Sequence, residues 1–215
     1  LEIGHYLDDP SFLQESMDLW RDTPIASKVL HVPNLLKARW SKLCWNLAFS
    51  GIAVAMGGLT TDVIVEDAGL AQLADDIITE SIHVAKADIS RRYWQRQQGK
   101  SNDNNRSINT AIKEQGPPSS QLIDVEVHRQ RLWLAGRTVG KYKASTVLDL
   151  VEGKELEMRY MYSEVLRRAQ LASESQSSLQ YSRLAAVLQM VEAMGRIASK
   201  KKELGIGTVP TLFTS

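Results

Sequence analysis

Lys42, Asn46 and Ser50 recur at four-residue steps inside an apolar, proline-free stretch, ARWSKLCWNLAFSGIAVAMG, that spans residues 38–57. In a helix this spacing stacks an ammonium, a carboxamide and a hydroxyl along one stripe. Burying an ammonium penalises its charged form and draws its pKa down, so a buried Lys42 could pass a proton near neutral pH. The plainer alternative is that Lys42 reaches out to water from the helix start while Asn46 bonds to backbone, since lysine is rarely fully buried. The lone cysteine, Cys44, lies in the same stretch with no histidine near it in sequence, which favours a small buried filler over a nucleophile. His83 has no second histidine at metal-ligand spacing, so no metal site is expected. Gly57-Gly58 makes a corner where backbone could approach a ligand closely, or simply ends a helix.

Composition narrows the classes open to such a site. The chain has 215 residues, enough for one large domain or two small ones with a substantial core. Its 26 Lys and Arg nearly cancel 25 Asp and Glu, so neither nucleic acid nor an anionic membrane is implied as a partner. One cysteine allows no internal disulfide and suits a reducing, cytoplasmic location. The longest apolar stretch is cut by Lys42 and by glycines, and no signal peptide is evident. The chain begins at Leu1 without methionine, in what reads as a strand, as expected of a fragment or a processed chain.

The elements that would position the Lys42 stripe are mostly helical. Residues 1–6 alternate as a short strand, Asp9-Pro10-Ser11 starts a helix, and residues 25–32 (IASKVLHV) read as a second strand. Beyond Pro33-Asn34 the pattern is amphipathic. Residues 66–87 place Ala68, Leu70, Leu73, Ile77, Ile78, Ile82 and Ala85 on one face, and residues 179–197 turn Leu184, Val187, Leu188, Val191 and Met194 inward. Arg91-Arg92-Tyr93-Trp94-Gln95-Arg96 mixes basic and aromatic side chains but, in a chain of balanced charge, reads as a solvated helix end. SNDNNRS (101–107) and QGPPSSQ (115–121) are turn-rich. VEVHRQRLWLAG alternates from Val125 to Leu134, which gives a strand some support over a helix. Residues 145–170 carry two helical patterns parted near Gly153, and Lys200-Lys201-Lys202 reads as a solvated helix end. Gly205-Ile206-Gly207 lacks a third glycine and is no dinucleotide fingerprint.

Two motifs in order, Trp40-Ser41-Lys42-Leu43-x-x-Asn46 and Ser145-x-x-x-Asp149-x-x-x-Gly153-x-x-x-Glu157, resemble the C-terminal domain of ketopantoate reductases (2-dehydropantoate 2-reductases). The likeness continues through Tyr160 to Ala169, including Leu166-Arg167-Arg168-Ala169, and covers most of residues 29–170. It implies a mainly α fold: a helical C-terminal domain of the 6-phosphogluconate-dehydrogenase-like type, with a short α/β remnant of a Rossmann domain at the N-terminus. Residues 1–32 would be that remnant, and residues 33–215 the helical substrate domain with a polar insertion near 90–143.

The resemblance also implies roles. Lys42 would be the catalytic general acid and Glu157 the acidic residue that holds the substrate hydroxyl, the two facing one cleft. Asn46, Ser50 and Ser145 would bind substrate, Ser145 toward its carboxylate. The reaction would be NADPH-dependent reduction of a small 2-keto acid, ketopantoate to pantoate in pantothenate biosynthesis. An apolar face left by the nucleotide domain could drive assembly into a homodimer. Ser50 stands where the family often has a second asparagine, and SESQSS replaces its usual glycine and proline. The glycine-rich phosphate loop is absent, so this chain alone is not expected to bind NADPH. The competing expectation is a non-enzymatic helical interaction or dimerisation module that keeps family residues as relics.

Overall fold

A computed structural model of the chain describes residues 2–4, 10–32, 34–100, 122–174 and 176–205. The turn-rich segments 101–107 and 115–121 lie outside these residues, as does most of the Gly205-Ile206-Gly207 tail.

The N-terminal unit pairs β1 (Glu2–Ile3) with β2 (Leu30–His31) in parallel, joined through α1 (Pro10–Asp18). The second strand is much shorter than residues 25–32 suggested. Thr23 and Ile25 carbonyls accept from Ala26 N and Lys28 N, closing consecutive tight turns into a 3₁₀ helix at Ala26–Lys28 before the chain can extend.

From Asn34 onward the described chain is helical. The Asn34 side chain accepts from Lys37 N at 2.9 Å and caps α2 (Leu35–Trp45). The 38–57 stretch is not one uniform helix. A π turn at Asn46–Ser50 separates α2 from α3 (Gly51–Ala55), and Gly57 and Gly58 then turn the chain with φ of 81° and 114°. After α4 (Thr61–Glu66) comes the 33-residue α5 (Ala68–Lys100), against which α2, α6 (Val125–Thr138), α8 (Glu164–Ser173) and α9 (Ser182–Glu203) all pack. Its buried face runs Ala74, Ile77, Ile78, Ile82, Ala85 and Ile89, while Ala68 is exposed and Leu70 and Leu73 are half-buried. A helix with neighbours on several sides needs apolar residues around most of its circumference, which is why α5 holds the core together.

The stretch with strand-like alternation is the helix α6. Asp124 caps it by accepting from Val127 N at 2.9 Å, and its buried residues, His128, Leu132 and Gly136, recur every four positions. Arg129 ties it to Asp75 of α5 at 2.8 Å. Helical periodicity in what is buried outweighs alternation in what is exposed, since tertiary contacts override strand propensity. Two shorter elements, α7 (Ser145–Val151) and a π turn at Met158–Ser163, lead into α8, parted at Gly153 with φ of 66°.

Arg91 and Arg92 are not a free basic patch. Asp88, fully buried on α5, accepts from Arg91, Arg92, Arg168 and the Trp40 indole N–H, at 3.3, 3.0, 2.9 and 3.1 Å. Burial opposes ionisation of this carboxyl, but Arg92 and Arg168, with hydrogen bonds from Trp40 and Arg168, outweigh it and hold its pKa below the usual 3.8. No helix among the described residues is long and apolar enough to cross a membrane, and among them no group of His, Cys, Asp and Glu could hold a metal ion.

Candidate functional site

Lys42 and Asn46 line one cleft of about 850 Å3 between α2 and α6. That volume accommodates a small organic ligand. On the α2 side the wall is built by Lys37, Ser41, Lys42, Trp45 and Asn46, and on the other by His128, Arg131 and Leu132 of α6 with Tyr142 beyond it. The two helices run the same way: Ser41 meets His128, and two turns on, Phe49 meets Trp133 with ring centroids 5.8 Å apart. Tyr142 is brought over Trp45, centroids 5.8 Å apart, because its carbonyl accepts from the Thr61 backbone and hydroxyl at the start of α4.

The cleft is basic. Lys37, Lys42 and Arg131 line it together with His128, and among the described residues no acidic side chain lines it. His128 Nε2 and Ser41 Oγ share a hydrogen bond of 2.9 Å. Burial pushes the His128 pKa down, and the positive charges of Arg131 and Lys37 add to that, against a smaller upward pull from Asp124. Such a wall attracts an anion and offers it N–H donors.

The remaining residues named from sequence fall elsewhere. Lys42 is exposed at the cleft, so the desolvated lysine of the uniform-helix reading does not occur in this chain. Ser50 is only 3% exposed and leaves the Lys42–Asn46 stripe, because the π turn rotates the next helical segment relative to α2. Ser145 is exposed at the first residue of α7 and is not among the residues lining the α2/α6 cleft. Glu157 lines a different cleft, of about 1050 Å3, with Glu155, Glu192, Arg196, Lys200 and Glu203. The expectation that Lys42 and Glu157 face one cleft is therefore not met. Glu157 lies at the end of the irregular run after Gly153, and that run leads it to α9, where Ser163 Oγ donates to Glu192 at 2.8 Å. The glutamates there outnumber Arg196 and Lys200, which disfavours a carboxylate.

Cys44 is fully buried, and burial pushes its thiol up to about 12, so it is filler rather than nucleophile. His83 is exposed. His128 and Arg131 were missed in the sequence because a strand at 125–134 alternates residues between faces, whereas helical phase puts His128, Arg131, Leu132 and Ala135 together. The capping Asp124, three residues before Val127, was the available signal.

A family model described as ketopantoate reductase PanE/ApbA, C-terminal, matches residues 34–194. No curated protein matches the sequence. Among solved structures, 2-dehydropantoate 2-reductase from Methylococcus capsulatus is 17% identical with a TM-score of 0.66, covering 92% of this chain and 55% of that one. The enzyme of the same name from Geobacter metallireducens GS-15 is 18% identical with a TM-score of 0.64, covering 89% and 52%. A ketopantoate reductase from Staphylococcus aureus, described as dimeric, is 17% identical with a TM-score of 0.61, covering 92% and 54%. At such identities the likeness is one of fold, and the chain spans about half the length of each of these proteins. The mainly helical architecture and the match over residues 34–194 place this chain in the ketopantoate reductase PanE/ApbA C-terminal family.

Proposed function

We propose that this chain is the substrate-binding and catalytic part of an NADPH-dependent 2-keto acid reductase of the ketopantoate-to-pantoate type, residues 1–32 belonging to a nucleotide-binding domain and residues 33–215 to the substrate domain. The observation that carries the reading is that Lys42 and Asn46, one turn apart, line a single cleft whose wall is cationic. In this reading the carboxylate of the keto acid is drawn into the basic cleft, Asn46 donates to the substrate, and Lys42 hands a proton to the ketone oxygen as negative charge builds there. NADPH would supply the hydride, but the chain contains no glycine-rich phosphate loop to hold it, so the residues present do not fit the nucleotide. Covering of the cleft by a nucleotide domain would desolvate Lys42 and strengthen its interaction with the forming alkoxide. Glu157 has no part in this proposal.

A non-enzymatic helical module is the second reading, favoured by the separation of Lys42 from Glu157 into different clefts. The two part in one assay: NADPH oxidation with ketopantoate and related 2-keto acids, using protein that carries a nucleotide-binding domain ahead of this chain. Turnover that falls by roughly 10²–10⁴ in Lys42→Ala supports the general-acid role. Unchanged turnover in that variant refutes it, and no turnover with any keto acid favours the module.

A further inference from the structure

We infer that Ser41, positioned by His128, is the hydroxyl that receives the carboxylate of the keto acid, a role that Ser145 does not fill. The inference rests on the keto acid reading of the α2/α6 cleft and adds a substrate-binding residue and a positioning residue to it.

In a 2-keto acid the carboxylate carbon is bonded to the ketone carbon, so the donors for the two groups must be neighbours. Ser41 and Lys42 are adjacent in α2 and both line the cleft, whereas Ser145 is not among the residues that line it. A carboxylate has two oxygens and about four lone-pair directions, so one cation leaves it room for a hydroxyl donor. Helical hydroxyls elsewhere in the chain turn back onto their own backbone: Thr79, Ser90 and Thr138 each donate to the carbonyl four residues earlier, at 2.9 Å. Ser41 instead reaches across to α6 and meets His128 Nε2 at 2.9 Å. Its partner is fixed in place, since His128 is only 8% exposed.

The direction of that hydrogen bond follows from what occupies the cleft. With Nε2 protonated, the ring N–H donates to Ser41 Oγ and leaves the Ser41 O–H to donate onward. With Nε2 bare, Ser41 gives its only proton to the ring and shows lone pairs to the cleft. An anion at Lys42 selects the first arrangement, in which two dipoles in series point toward its charge. A neutral imidazole suffices for this. His128 therefore acts by orienting Ser41, and the proton transfer stays with Lys42.

The test titrates the chain and its variants with ketopantoate at neutral pH, following backbone amide and isotope-labelled imidazole signals by NMR. Ser41→Ala should weaken binding about tenfold, the worth of one hydrogen bond to a charged group, while Ser145→Ala should stay within about twofold. His128→Leu should weaken binding as Ser41→Ala does, and His128→Gln, whose amide N–H can donate to Ser41, should restore most of it. In the chain with ketopantoate bound, His128 should carry a proton on Nε2, a signature that a mere tie between α2 and α6 does not require. Unchanged binding in Ser41→Ala or in His128→Leu, an equal loss in Ser145→Ala, or a bound state with Nε2 bare overturns the inference. In each of those cases ketopantoate still binds the parent chain, and the keto acid reading stands. Failure of the parent chain to bind ketopantoate overturns both.

Discussion

His128 and Lys42 lie on the same cleft but respond to pH and mutation in different ways. His128 is buried, and that burial, then the charges of Arg131 and Lys37, hold its pKa below the usual 6.5. The folded chain therefore binds this proton less readily than the unfolded chain. Its contribution to stability is complete above a pH of about 6.5 and is lost as pH falls through the depressed folded value. An anion in the cleft offsets Arg131 and Lys37 and makes protonation easier, so by linkage anion affinity should rise as the pH falls from 7.5 to 6. Titration of ketopantoate at both pH values checks this, and His128→Gln, which can still hydrogen-bond Ser41, should flatten the dependence. Lys42 is exposed, so Lys42→Ala should change stability by no more than about 0.5 kcal/mol and leave the thermal midpoint nearly unchanged. Loss of turnover without loss of stability is the signature expected of a group that acts on substrate rather than on the fold.

At the scale of elements, the cleft depends on how closely α6 approaches α2 and the π turn. Gly136 makes that approach possible: a Cβ there would lie 2.4 Å from Phe49 Cζ. The Phe49 ring cannot swing aside, because it is buried between Trp45 and Trp133, with centroids 5.2 and 5.8 Å away. Gly136→Ala should therefore destabilise the chain by about 1–3 kcal/mol, despite alanine's better helix propensity, because overpacking outweighs it. A lowered urea midpoint with unchanged slope would show this; a raised midpoint would mean that the helices have room to part. The π turn has the other positional effect. Asn46 stays in line with Lys42 at its start, and Ser50 at its end is turned into the core.

Across the whole molecule, Asp88 joins elements far apart in sequence. It gathers Trp40 of α2 and Arg168 of α8 onto α5, and Arg168 also bonds Glu164 at 2.9 Å. Removing its negative charge takes the counter-charge from the guanidiniums of Arg91, Arg92 and Arg168. Asp88→Asn should cost about 3–5 kcal/mol, a large share of the roughly 5–15 kcal/mol that holds a domain folded. Chemical denaturation measures it, and a cost below about 1 kcal/mol would mean that water serves the arginines equally well. The same groups set the acid limit. Asp88 is held below its usual value, and Glu164 is lowered to about 2, first by the hydrogen bond from Arg167 and then by the charges of Arg168 and Arg167, against burial. Both folded values lie below the unfolded ones, so their stabilisation is present above pH about 4.5 and is lost as the pH falls through the folded values. The thermal midpoint should drop across that acid range, and the drop should be shallower in Asp88→Asn.

The sequence by itself carried the family, the mainly helical class and the Lys42–Asn46 pair, because each is written locally: a four-residue step, an apolar period, a motif of neighbours. The inward faces of α5 and α9 were legible for the same reason, since a helix's buried stripe repeats along its own chain. What faces that stripe is a matter of long-range packing, and there local pattern misled. Val125 to Leu134 alternates like a strand, yet contacts with α2 and α5 fix it as a helix that brings His128 and Arg131 to Lys42. The interval from Ser145 to Glu157 matches a family motif, yet the turn at Gly153 and the run after it lead Glu157 toward α9 and a separate cleft. Spacing along the chain fixes which side chains share a helix face; which faces meet across a cleft is decided only when the helices pack.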